Sequence, residues 1–138
     1  MPVRTITAGQ QKFSAQVFNI ASIASVVVFP LIMLWIAASI FTYAAIAHHP
    51  NHSVREYVRY AGYRFYGLVG TLVVGLNYTE QMKHWIPGVI KLGALTIPMI
   101  WPYVWLASVL AIVPLGMRDI LRAHAEQWQD MTVEVEHV

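Results

Sequence analysis

Residues 13–46 read FSAQVFNIASIASVVVFPLIMLWIAASIFTYAAI, and not one of them is Asp, Glu, Lys or Arg. As a helix this run would span about 50 Å, whereas about 20 apolar residues are enough to cross the hydrocarbon of a bilayer. We therefore predict a first transmembrane helix over residues 23–46, with residues 13–19 at the membrane interface. Pro30 is predicted to kink this helix, because a proline inside a helix removes a backbone hydrogen bond. The alternative is a re-entrant hairpin that turns at Pro30.

The composition of the whole chain favours a membrane protein. Of its 138 residues, 57% are hydrophobic and 12% are charged, against about 25% charged residues in soluble domains. A soluble domain this short could not hide so much apolar surface, because small domains bury only part of what their unfolded chains expose. The chain has no cysteine, which excludes disulfides and thiolate sites, and its net charge of +2 comes from scattered basic residues rather than from the basic stripe of a nucleic-acid binder.

Two further transmembrane helices are predicted, over residues 62–78 and 99–117. The segment before the last one is rich in proline and glycine, and we predict a short helix there, near residues 86–97. Residues 1–12 are predicted to be a frayed lead-in, and residues 132–138, which mix Val with Glu, to be disordered rather than to add a strand to the sheet of a partner. The prediction is thus a single all-α membrane domain over residues 1–138, with about three transmembrane helices and an amphipathic C-terminal helix in the tail, residues 118–138.

Basic and aromatic residues indicate the membrane boundaries. Residues 54–66 combine tyrosines with arginines, as is typical of a membrane–water interface, where the arginines are expected to extend toward water or headgroups. With three spans, the first loop and the tail lie on one side of the membrane, and the N-terminus and the second loop lie on the other. The basic residues favour the first loop and the tail by one or two charges. The positive-inside rule then predicts a cytoplasmic tail, and we expect a bacterial inner membrane.

Small residues recur every four positions in the predicted second span, at Gly67, Thr71 and Gly75, with Gly70 beside them. Such a stripe lets the backbone of a neighbouring helix approach closely. It is predicted to be a helix-packing interface, and two interpretations are open. The stripe packs the second span against the other spans of this chain, or it contacts another protein.

The tail carries a second candidate contact surface. Arg118 and Arg122 lie one helical turn apart, and Trp128 belongs to the apolar side of the same predicted amphipathic helix. These three residues are predicted to contact a partner subunit. The alternative is a solvated helix without a partner.

The histidines His48, His49 and His52 are the candidate metal ligands. A transition-metal site needs three or four ligands that converge on one point, and adjacent histidines on a helix point about 100° apart. We therefore favour a polar helix cap and predict no metal and no cofactor. The size and span count are similar to those of the small three-helix membrane anchors of succinate dehydrogenase, but the haem-ligating histidines of that architecture, which lie within the helices, have no counterpart here. Lys91, between two apolar residues, is expected to extend to a nearby surface.

The sequence shows no nucleophile paired with a base and no phosphate-binding glycine loop, so no enzymatic activity is expected. We expect a non-catalytic integral membrane subunit of a larger membrane complex, of secretion, conjugation or respiratory type, with membrane lipid and other subunits as its partners. Two alternatives are a membrane anchor that holds haem b or quinone near His48 and His49, and a small homo-oligomeric channel.

Overall fold

The computed structural model describes residues 3–134, and in it the predicted first span is two helices rather than one. Helix α1 covers Ala8–Val27 and helix α2 covers Leu31–Ile46. The chain reverses between them, and Trp35 Nε1 on α2 donates a hydrogen bond to Ser22 Oγ on α1 over 2.9 Å. The prediction of one kinked helix over residues 23–46 is therefore wrong. Pro30 has no N–H to continue the hydrogen-bond ladder of α1, and the apolar faces on either side of it gain more by packing together than by remaining in line.

A capping box fixes the start of α1. The side chain of Thr7 accepts a hydrogen bond from the backbone N–H of Gln10, and the side chain of Gln10 accepts one from the backbone N–H of Thr7. A short strand, β1 (Val3–Ile6), precedes this cap. The predicted frayed lead-in is thus an ordered strand and a helix start.

Helix α3 (His52–Leu76) joins two segments that the sequence analysis separated, the tyrosine- and arginine-rich stretch and the predicted second span. The side chain of Asn51 caps it by accepting a hydrogen bond from the N–H of Ser53 over 2.9 Å. A short helix, α4 (Thr79–Trp85), follows.

A β-hairpin replaces the short helix predicted near residues 86–97. Its strands, β2 (Val89–Leu92) and β3 (Leu95–Pro98), pair in antiparallel register. Gly88 and Gly93 have φ angles of 107° and 61°, values that side-chain-bearing residues rarely adopt. These two glycines and Pro87 prevent a helix, and the β-branched residues between them favour strands.

Helix α5 (Ile100–Ala125) contains the predicted third span and the first part of the predicted tail. After it, strand β4 (Met131–Glu134) pairs antiparallel with β1, with Val3 opposite Glu134 and Ile6 opposite Met131. Residues 132–134, predicted to be disordered, therefore lie in a strand that pairs with the N-terminus of the same chain. The prediction for residues 135–138 lies outside the described residues.

The four long helices run alternately up and down. We name the two ends of this bundle by their strands. The β1–β4 end holds the start of α1, the loop between α2 and α3, and the end of α5; the β2–β3 end holds the turn at Pro30 and α4. The three-span prediction placed the N-terminus and the tail on opposite sides, and the β1–β4 pairing instead holds them together.

Aromatic packing forms the core. Phe18 is fully buried at its centre, and its ring makes edge-to-face contacts with the rings of Trp35, Tyr43, Phe65 and Tyr66 at centroid distances of 5.1 to 6.1 Å. A second cluster near the β1–β4 end joins all four helices through small and β-branched side chains, namely Ala15, Ile46, Val54, Val58 and Ala123.

Within residues 3–134, α5 is the helix that is long and apolar enough to cross a membrane, and α2 is apolar but shorter. The chain is mainly helical, as predicted. Many large apolar side chains remain on the outside of the bundle, among them Met33, Leu34, Phe41, Val73, Leu106, Leu110 and Leu121.

Candidate functional site

A buried ion pair and a neighbouring hydrogen bond, both made by Arg64, join three helices. Arg64 on α3 donates a hydrogen bond from Nη2 to Asp119 Oδ2 on α5 over 2.7 Å, and one to Asn19 Oδ1 on α1 over 2.9 Å. The side chains of Arg64 and Asp119 are only 16% and 8% exposed. Arg64 therefore points into the bundle, and the expectation that it extends toward water or headgroups is wrong.

The sequence patterns used above did not predict this pair. Arg64 follows the buried Ala61 by three positions and precedes the half-buried Leu68 by four, so helical spacing already places it on the inner face of α3. A buried arginine needs a carboxylate, and Asp119 lies at the end of the predicted third span. The helical face of Arg64, rather than its sequence neighbours, was the usable signal.

An open groove between α3 and α5 leads from this ion pair toward the β1–β4 end. Its volume is about 710 Å³. Arginines, carboxylates and tyrosines line it together, including Arg64, Arg118, Arg122, Glu56, Asp119, Glu126, Tyr57 and Tyr60.

The carboxylates of the groove are already engaged. Asp119 accepts from Arg64, and its other oxygen lies 3.4 Å from Arg118 Nε. Glu126 Oε2 accepts a hydrogen bond from the Tyr57 hydroxyl over 2.9 Å.

Two arginines of the groove, Arg118 and Arg122, have N–H groups that are not used in the contacts described above. A guanidinium carries five N–H donors. Arg118 is 55% exposed and makes the single long contact with Asp119. Among the side chains described, those of residues 3–133, none accepts a hydrogen bond from Arg122 or forms a salt bridge with it. Arg118 and Arg122 lie one turn apart on α5, so both face the same groove.

Trp128, the third residue of the predicted tail surface, lies elsewhere. It packs back onto the bundle, where its Nε1 donates to the carbonyl of Ala123 over 2.8 Å and its ring lies 6.4 Å from that of Tyr57. Arg118 and Arg122 thus line the groove together, whereas Trp128 packs against Tyr57 and does not line it.

The candidate metal ligands do not converge. His49 Nδ1 accepts a hydrogen bond from the backbone N–H of Asn51 over 3.0 Å, and the pKa of His49 is lowered by burial and by the nearby Arg55 and Arg4. His52 lies beside Glu56, with 3.7 Å between Nε2 and Oε1, and His48 is exposed. No group of three potential metal ligands occurs in the part of the chain from residue 3 to residue 134.

The small-residue stripe faces outward. A Cβ atom added to Gly67 or Gly70 would meet nothing within 4 Å, and one on Gly75 would lie 4.0 Å from Met82 Cε. The hydroxyl of Thr71, also exposed, donates to the backbone carbonyl of Gly67 over 2.8 Å. Among the described residues, no other long helix packs on this stripe.

Two other glycines make the close contacts within the bundle. A Cβ on Gly62 would lie 2.6 Å from Cε2 of Tyr43, and one on Gly116 would lie 3.1 Å from Cδ1 of Ile23. Neither residue belongs to a repeating small-residue pattern, so the sequence offered no such signal for them.

The chain matches no protein-family model, no curated protein and no solved structure. Its function is therefore inferred from its own residues.

Proposed function

We propose that this chain is a non-catalytic integral membrane subunit of a larger membrane complex of secretion, conjugation or respiratory type. The observation that carries the proposal is the outward position of its apolar surface. Only 22% of the most apolar 18-residue stretch of α5 is buried within the structure. The core helix of a soluble protein would be mostly buried, whereas lipid can cover the outside of this one.

The distribution of polar residues inside the bundle supports the same proposal. Several polar side chains lie in the core and are satisfied there by one another or by the backbone, including Gln11, Ser22, Ser25, Ser39 and Ser108. Polar groups that face the interior of a helix bundle, with apolar groups outside, are what a lipid environment favours, because lipid cannot hydrogen-bond them.

The basic residues support an orientation for the bundle. Of the nine lysines and arginines, seven lie in the half of the bundle between its middle and the β1–β4 end: Arg4, Lys12, Arg55, Arg59, Arg64, Arg118 and Arg122. The other two, Lys83 and Lys91, lie at the β2–β3 end. By the positive-inside rule this asymmetry favours a cytoplasmic β1–β4 end. The proposal therefore places both termini in the cytoplasm and the β2–β3 hairpin on the far side. In this arrangement α5 is the apolar span, and α1, α2 and α3 cross as the helices packed beside it.

The outer half of α3 supports contact with another subunit. Its stripe of Gly67, Gly70, Thr71 and Gly75 is open, and a backbone from a neighbouring helix fits against it without displacing any side chain of this chain. We propose that a helix of a partner subunit packs there.

The test is purification of the full chain in mild detergent, followed by mass spectrometry of what accompanies it. Thr71→Leu fills the stripe and is expected to remove the partner. Val73→Leu is the matched control, because Val73 is on the same helix, is 57% exposed and points about 200° away from Thr71. Unchanged recovery of partners with Thr71→Leu, or equal loss with both variants, would contradict the proposal.

The same sample distinguishes the two alternatives. A second copy of this chain as the sole companion would favour the homo-oligomeric channel. A Soret band that stays with the chain would favour the haem anchor, and His48 and His49 would then be the residues to replace.

A further inference from the structure

The groove between α3 and α5 has the chemistry of an anion site. Its carboxylates Asp119, Glu126 and Glu56 are engaged by Arg64, Tyr57 and Arg59, respectively. Arg118 and Arg122 present further N–H donors one turn apart. Two neighbouring guanidinium groups repel each other, and a shared tetrahedral anion removes that repulsion while it accepts several charge-assisted hydrogen bonds.

The surroundings of the groove narrow the class of anion. Tyr60 lines the groove and is 52% exposed, and Tyr63 beside it is 64% exposed. On α5, Met117 and Leu121 lie next to the two arginines and are 42% and 61% exposed. A ligand whose charged group meets the arginines would thus meet tyrosine rings and an apolar surface with its remaining atoms, as a phospholipid does at the membrane interface.

We infer that the α3–α5 groove binds the phosphate headgroup of an anionic membrane lipid between Arg118 and Arg122, with the acyl chains lying along the exposed apolar face of α5 toward the β2–β3 end. This inference rests on the proposed membrane location. Arg64 acts indirectly, because its guanidinium pairs with the Asp119 carboxylate and so offsets the negative charge that lies beside Arg118 in the groove.

The experiment uses the full chain in a neutral detergent and native mass spectrometry with phosphatidylglycerol or phosphatidylcholine. Arg118→Gln combined with Arg122→Gln tests the groove. Lys83→Gln combined with Lys91→Gln removes the same charge at the β2–β3 end and is the matched control. Thermal unfolding without lipid verifies that both double variants fold like the unchanged chain.

The unchanged chain is expected to prefer phosphatidylglycerol, and the arginine double variant to bind it roughly 30-fold more weakly, at about five- to sixfold per arginine. The lysine double variant is expected to keep the affinity. Equal affinity for the two lipids, or equal loss in both double variants, would overturn the inference. An excess of inorganic phosphate that displaces the lipid completely would also overturn it, because the site would then belong to a free anion.

The failure of this inference can be separated from failure of the proposed membrane location. Extraction of membranes at alkaline pH releases peripheral and soluble proteins but leaves integral ones behind. Release of the chain would contradict the proposed function itself. Retention of the chain without a lipid preference would contradict the headgroup site alone.

Discussion

The two halves of α3 differ in what surrounds them. In residues 52–65, five positions are buried against the other helices, Val54, Val58, Ala61, Gly62 and Phe65. In residues 66–76 none is buried. Yet the second half carries the regular small-residue stripe, while the first carries a lone glycine that Tyr43 closely approaches. A small-residue pattern thus shows that a backbone can approach, but not which helix approaches it.

The largest effect on stability is expected at the ion pair between Arg64, in the first half of α3, and Asp119 on α5. Asp119→Ala leaves the guanidinium of Arg64 buried without its counter-charge, which costs about 3–5 kcal/mol of unfolding free energy. Glu80→Ala is the control, because Glu80 pairs with Lys83 but its side chain is 83% exposed, and it should change stability by less than about 1 kcal/mol. Reversible unfolding in mixed detergent micelles measures both. Similar values for the two variants would show that Arg64 is solvated rather than buried.

Replacement by alanine should change stability in opposite directions at Gly62, which is packed against Tyr43, and at Gly67, which faces open space. Gly62→Ala forces the Tyr43 ring to move within an aromatic cluster and is expected to cost about 1–3 kcal/mol. Gly67→Ala meets open space, and because alanine is the better helix former it should stabilise the isolated chain by up to about 1 kcal/mol. The unfolding free energies of both variants, measured without partners, test the comparison directly. A destabilising Gly67→Ala would mean that the second half of α3 is packed within this chain.

A smaller effect is expected at the helical hairpin that supports the first half of α3. Trp35→Phe keeps the ring packing against Phe18 but removes the hydrogen bond to Ser22, at a cost of about 1 kcal/mol. Trp85→Phe, at a side chain that is 81% exposed, should cost almost nothing. If both variants had the same stability, α1 and α2 would not be paired through this bond.

The smallest effect is expected at the loop that leads into α3. The lowered pKa of His49 means that the unfolded chain binds a proton more readily than the folded one. The stability supplied by neutral His49 is therefore present above about pH 6.5 and is lost as the pH falls through its folded pKa. The difference in melting temperature between the unchanged chain and His49→Gln should narrow between about pH 7.5 and 5. A constant or widening difference would contradict the burial of His49 beside Arg55 and Arg4.

The sequence predicted those features that depend on local composition. The absence of charged residues over 13–46 and the apolar run before Arg118 predicted a helical fold and a helix in the region of α5. Gly88 and Gly93 lie within a continuous apolar region, and apolar residues alone do not distinguish the observed hairpin from the short helix predicted near residues 86–97.

The remaining features depend on contacts between distant residues. Pro30 is compatible with a kink and with a reversal, and the choice depends on whether residues such as Ser22 and Trp35 meet. The pairing of β1 with β4 joins segments from the two ends of the chain, so neither strand could be assigned from its own residues. Arg64 and Asp119 meet only because α3 and α5 are neighbours.

The central claim is that the bundle crosses a membrane with both termini on one side and the β2–β3 hairpin on the other. Because the chain has no cysteine, single substitutions report on each end: Thr5→Cys and Thr132→Cys at the β1–β4 end, and Val28→Cys and Ala94→Cys at the β2–β3 end. An impermeant maleimide applied to intact cells is expected to label positions 28 and 94, and to label positions 5 and 132 only after the membrane is opened. Different labelling of positions 5 and 132, or the same labelling of positions 94 and 132, would contradict the claim.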